Sequence, residues 1–102
     1  MTSFDRREEA FEAKFAHEEE RAFKARARAL HMLGLWAAAK RGETGQAAED
    51  YARALIDADV GGTIPDAAFD GLVLDLAGYG IDAGQIREKR DALFAMVQHQ
   101  PE

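Results

Sequence analysis

The sequence predicts an all-α protein, a short four-helix bundle with a long first helix whose N-terminal part is mobile or disordered when free. Three observations carry that expectation. From Leu30 onward apolar residues recur at the 3.6-residue spacing of helix faces. Glycines and capping residues divide them into four stretches. No Leu, Ile or Val occurs before Leu30, so the opening of the chain has no aliphatic stripe with which to dock on a core.

The first helix is read through both regions. A 3.6-residue period started at Phe4 passes Phe11, Phe15, Ala22, Ala29, Leu33 and Trp36, with Glu8 and Glu18 interrupting it. Four of the six phenylalanines, Phe4, Phe11, Phe15 and Phe23, lie in the first 28 residues beside seven basic and seven acidic side chains. The strong helix formers Ala, Glu, Lys and Arg dominate there, giving a solvated rod with a narrow aromatic edge. Two readings fit: an exposed charged extension, or a partner-binding segment that orders on contact. The expected division is therefore residues 1–28, an N-terminal segment, and residues 29–102, a helical bundle module.

Gly42 and Gly45 punctuate the first helix, and Thr44 is placed to cap a second in which Ala48, Tyr51, Ala52, Leu55 and Ile56 face inward. Glu49, Asp50, Arg53 and Asp57 fall on its outer face. Gly61-Gly62 stops it. Thr63 and Asp66 fit a capping box with Pro65 in the first turn of a third helix, whose inward residues are Phe69, Leu72, Val73, Leu76 and Tyr79. Gly78 and Gly80 end that element. Asp82 and Gln85 form the sharpest start signal in the chain, a second capping box with Ile81 and Ile86 as its hydrophobic staple. The fourth helix is expected to reach His99, with Ile86, Leu93, Phe94 and Val97 in the core.

Composition narrows the function. The chain has 102 residues and formal net charge −6, all of it carried after residue 28. One small domain of this size has little volume for both a core and a deep active-site cavity. With no cysteine there is no disulfide, thiolate nucleophile or cysteine-ligated zinc, and a cytosolic location is expected. The apolar stretch Leu30 to Ala39 is too short to span a bilayer, so no direct membrane insertion is expected.

Several chemical motifs fail on inspection. Gly78-Tyr79-Gly80-Ile81-Asp82-Ala83 spells a dinucleotide fingerprint, but its flanks are helical and no acidic residue follows at the required distance. The stretch beginning Asp57-Ala58-Asp59 lacks the bidentate twelfth ligand of a calcium loop, since Ala68 stands there. His17-Glu18-Glu19-Glu20-Arg21 departs from a zinc-protease helix where Arg21 replaces the second histidine. Ser3, the only serine, has no fixed base. Arg21, Lys24, Arg26 and Arg28 are basic, but Glu18, Glu19 and Glu20 precede them in an acidic chain, which argues for intrahelical pairing such as Glu20 with Lys24 and against nucleic acid. No catalytic residue, metal site or cofactor is expected, and the chain is not read as an enzyme.

Phe4-Asp5-Arg6-Arg7-Glu8, the run Ala10-Phe11-Glu12-Ala13-Lys14-Phe15-Ala16-His17 and Leu33-Gly34-Leu35-Trp36-Ala37-Ala38, with Ile86-Arg87 and Lys89 further on, resemble the zeta subunit of alphaproteobacterial F-type ATP synthases. The resemblance covers nearly the whole chain and implies a four-helix bundle that inhibits ATP hydrolysis. It implies an N-terminal segment that enters the catalytic alpha/beta interface of the soluble sector, made of alpha, beta and gamma subunits, and blocks hydrolytic rotation. The inhibitory residues map onto Phe4, Asp5, Arg6, Phe11, Lys14, Phe15, His17, Glu18 and Glu19, and the location is the cytoplasmic periphery of the inner-membrane ATP synthase. The alternative is a non-inhibitory assembly or nucleotide-sensing module with weak adenine-nucleotide binding.

Overall fold

In the computed structural model the backbone of residues 3–61 and 66–98 is described, as are the side chains of residues 18–60 and 66–98. Four helices follow in order: α1 (Ser3–Lys40), α2 (Gly45–Gly61), α3 (Ala67–Ala77) and α4 (Ala83–Gln98). There is no strand among the described residues. The molecule measures 63 × 29 × 26 Å, and the long dimension reflects the 38 residues of α1.

The core is assembled around the C-terminal half of α1. Among the described side chains of α1 the first buried ones are Ala29 and Leu30, followed by Leu33, Ala37 and Ala38. These meet Ala48, Ala52 and Leu55 of α2, Ala68, Leu72 and Leu76 of α3, and Ile86, Leu93 and Val97 of α4. Met32, Trp36, Tyr51, Ile56, Phe69, Val73, Ile81 and Phe94 pack half-buried around that cluster. No charged or polar side chain is buried among them, so packing of apolar surface supplies the cohesion of the bundle.

α1 packs most extensively on α2 and next on α4. The α1–α2 contact is set by small residues. A Cβ built on Gly34 would stand 2.5 Å from the Ala52 Cα and 2.8 Å from its Cβ, a separation that real side chains do not adopt. Gly34 therefore lets the two backbones approach closely, with Ala38 and Ala48 also buried.

The helix ends follow their local chemistry. Gly42, at φ 80, takes the left-handed conformation that closes α1; its N–H reaches the Ala39 carbonyl at 3.0 Å, and the Glu43 N–H reaches Ala38 at 2.8 Å. These two hydrogen bonds satisfy carbonyls that would otherwise lack partners. At α4 the expected capping box is present: the Gln85 N–H donates to Asp82 Oδ1 at 2.8 Å, and the Asp82 N–H donates to Gln85 Oε1 at 2.9 Å. Ile81 and Ile86 both join the core beside it.

Two expectations are corrected. α3 begins at Ala67 with Asp66 as its N-cap in a left-handed conformation, φ 61, making no side-chain cap bond. Asp66 thus precedes the helix instead of completing a capping box within it; Thr63 and Pro65, the other parts of that expectation, lie outside the described residues. Tyr79 falls in the turn after α3 and is exposed, because the helix stops at Ala77 before the periodic stripe reaches it. His99, the expected end of the fourth helix, also lies outside the described residues.

Replacing Gly34 with Ala should destabilise the bundle although alanine is the better helix former. Overpacking against a backbone costs about 1–3 kcal/mol, and the gain in helix propensity is about 1 kcal/mol. Thermal unfolding of Gly34→Ala should give a lower Tm, and Gly34→Leu a lower one still.

Candidate functional site

α1 carries every residue of the expected partner-binding set. Positions 4, 5, 6, 11, 14, 15 and 17 lie within its helical span, and the side chains of Phe4, Asp5, Arg6, Phe11, Lys14, Phe15 and His17 are outside the described residues. Glu18 and Glu19 are exposed. Glu20 pairs with Lys24 one turn on, Oε1 to Nζ 3.2 Å, as their spacing predicts. From Glu18 to Lys24 every described side chain is exposed.

Polar contact with the other helices follows at Arg26. Arg26 donates from Nε to Asp59 Oδ2 and from a terminal guanidinium nitrogen to Asp59 Oδ1, both at 2.7 Å. This two-point bond joins α1 to the C-terminal end of α2. The guanidinium also lies 5.5 Å from the ring centroid of Phe94, which brings in α4. The Asp59 side chain is 17% exposed and that of Arg26 53%. Hydrogen bonding from Arg26 lowers the Asp59 carboxyl below its ordinary pKa, although desolvation acts the other way. The Arg26 guanidinium is raised by the same bond.

The pair lies among three surface hollows. A cavity of about 250 Å³ is lined by Arg26, Asp59, Asp66, Phe69, Arg90 and Asp91 over the core leucines. An apolar groove of similar size runs between α1 and α2 beside Phe23, Ala27, Ile56 and Val60, where Phe23 is 55% and Val60 59% exposed. Ala22, Ala25 and Phe94 line a third hollow towards α4. Phe69, at the first cavity, lies under Arg90 at 4.8 Å and Arg87 at 5.5 Å.

Lower on the bundle, His31 Nε2 and Glu49 Oε2 are 2.8 Å apart across the α1–α2 contact. The Tyr51 hydroxyl donates to Asp75 at 2.8 Å, linking α2 to α3, and partial burial with that bond raises the phenol above its ordinary pKa. These polar pairs ring the apolar core and hold helices in register. Among the described residues no group of three or more His, Cys, Asp or Glu is placed to hold a metal ion. No helix among them is long and apolar enough to cross a membrane.

The arrangement is a helix cemented over its second half and exposed from Glu18 to Lys24, with a charged clamp between the two. The family model for ATPase inhibitor subunit zeta matches residues 1–100. The chain belongs to that family. Its match takes in both halves of α1 and the bundle alike, so the inhibitor family description applies to the whole arrangement. Comparison with curated proteins gave no match, and neither did comparison with solved structures.

Sequence reasoning placed the expected zeta-type residues on one helix but missed the clamp. Arg26 was read only as part of a basic cluster paired within its own helix, and Asp59 only as part of a rejected calcium loop. One signal pointed to it: a carboxylate near the C-terminal end of a helix opposes the macrodipole and calls for a compensating cation.

Asp59 gives a pH signature. Its folded pKa is depressed, so its stabilising contribution is fully present above the unfolded value of about 3.9 and is lost as pH falls through the lower folded value. Urea unfolding should show Asp59→Asn less stable than wild type at neutral pH, with the difference vanishing in strong acid. A gap that persisted undiminished at the lowest pH would exclude the ion pair as its origin.

Proposed function

We propose that this chain inhibits ATP hydrolysis by an F-type ATP synthase by inserting its N-terminal segment, residues 1–28, at the catalytic alpha/beta interface and blocking hydrolytic rotation, while residues 29–102 form the anchoring bundle. The observation that carries the reading is the continuity of α1. One 38-residue helix has its buried side chains only from Ala29 on, among those described, in a chain of an ATPase inhibitor family. A rod held at one end can reach into a cleft that a compact bundle of this size cannot enter.

The residue chemistry of the N-terminal segment suits that cleft. Phe4, Phe11 and Phe15 are the aromatic anchors, with Phe11 and Phe15 central. Asp5, Arg6, Lys14, His17, Glu18 and Glu19 pair with the walls of the interface; with equal numbers of acids and bases the segment needs no strongly charged partner surface. Ordering a free chain costs about 1–2 kcal/mol per residue in backbone entropy. The bundle lowers the nucleation part of that cost, because the cemented half of α1 already supplies helical turns from which the rest propagates.

On this reading the chain binds the alpha, beta and gamma subunits of the soluble sector at the cytoplasmic periphery of the inner membrane, uses no cofactor and catalyses nothing itself. A second reading, weak adenine-nucleotide binding by the bundle, draws on the cavity beside Arg26, Arg90 and Phe69. Asp59, Asp66 and Asp91 share its lining, and their charge opposes a triphosphate. The inhibitory reading is therefore preferred.

Adding the full chain to the cognate soluble ATPase should suppress hydrolysis, and a variant lacking residues 1–20 should not. Equal effects of the two would remove the segment from the mechanism. Within the segment, Phe11→Ala should weaken the complex by about 2 kcal/mol or more.

A further inference from the structure

We infer that the Arg26–Asp59 pair is a positioning clamp that fixes the direction in which the N-terminal half of α1 leaves the bundle, and that Arg26 and Asp59 are therefore positioning residues for inhibition without touching the ATPase. The inference rests on the inhibitory reading above and adds to it the device that aims the rod.

Four observations meet at this pair. Its place in the fold is the transition along α1: every described side chain from Glu18 to Lys24 is exposed, and burial begins at Ala29. Its geometry is two-point, with both oxygens of one carboxylate taken by two nitrogens of one guanidinium at 2.7 Å. A two-point planar contact resists rotation as well as separation, which a single lysine contact does not. The same guanidinium lies 5.5 Å over Phe94, so α1 is tied to α2 on one side and α4 on another. Finally, Asp59 stands near the C-terminal end of α2, which closes at Gly61, where the helix dipole disfavours a carboxylate. Its position weakens its own helix, and the gain lies in the contact across to α1.

The apolar support at this level is thin. Hollows flank Arg26 towards both α2 and α4, and Phe23 remains more than half exposed beside one of them. The apolar core therefore does not hold this turn of α1 by itself. Leverage amplifies any looseness: the helix from Ser3 to Arg26 extends about 35 Å at 1.5 Å per residue, so a tilt of about 10° at the clamp moves its tip by about 6 Å. A displacement of that size exceeds the tolerance of a cleft that must receive particular aromatic rings.

The test uses the full chain in four forms: wild type, Arg26→Gln, Asp59→Asn, and the reciprocal swap Arg26→Asp with Asp59→Arg. Each is titrated against the cognate soluble ATPase and followed by amide hydrogen exchange when free. The single variants should inhibit about fivefold less tightly, the upper end for a pair with this much exposure. Their exchange should quicken over residues 18–28 while residues 30–38 keep wild-type protection. The swap should recover most of both losses.

Single variants that inhibit as tightly as wild type overturn the positioning role. So does quickened exchange throughout the bundle, which would make the pair a general stabiliser, and so does a swap that recovers neither property. If wild type itself leaves hydrolysis untouched, the inhibitory reading fails and this inference falls with it. That outcome is distinct from inhibition that is normal in all four forms.

Discussion

The close approach of α1 and α2 at Gly34 and Ala52 is the constraint on which the rest of the architecture depends. It fixes α1 as the central helix, and α2, α3 and α4 each contact it. A chain of this length has one modest core, and nearly all of it is spent on gripping half of one helix. The other half has no Leu, Ile or Val with which to extend that core. Asymmetry along α1 therefore follows from where the aliphatic residues begin, at Leu30, and from the backbone contact that places Gly34 opposite Ala52.

Charge is arranged to complement that asymmetry. Polar pairs such as His31 with Glu49 and Tyr51 with Asp75 join neighbouring helices around an entirely apolar core, and each of these residues keeps part of its surface exposed. On the stretch Glu18 to Lys24, where the described side chains are exposed, Glu20 pairs with Lys24 along the helix instead. Arg26 marks the change from the second pattern to the first. On the proposed inhibitory reading this division has a use: a part that engages a partner and a part that holds it.

Much of the fold was legible because helix signals are local. The Asp82–Gln85 box, the Ile81 and Ile86 staple, and the inward stripe from Ala48 to Ile56 depend on neighbours within two turns, and each is found as read. The same reasoning erred at Asp66, where the helix starts one residue later, and at Tyr79, where it stops before its apolar pattern does. Asp66 resembles the third residue of a capping box, yet its backbone is left-handed; Tyr79 continues a periodicity that the turn at Gly78 to Gly80 has already broken. The Arg26–Asp59 bond was not legible at all, since its partners are 33 positions apart and each belongs to a locally plausible pattern of another kind. The expected partner-binding residues rest on the resemblance, since composition alone leaves that region open between a solvated extension and a binding segment.

The central claim is that the two halves of α1 meet different surroundings when the chain engages its ATPase. Photo-crosslinking reads this most directly, with one probe at position 11 and, in a separate chain, one at position 74, where Leu74 is 78% exposed on α3. The account predicts ATP-dependent crosslinks from position 11 to the catalytic subunits and few or none from position 74. Efficient crosslinks from position 74 with none from position 11 would contradict it, because the bundle would then be the binding surface.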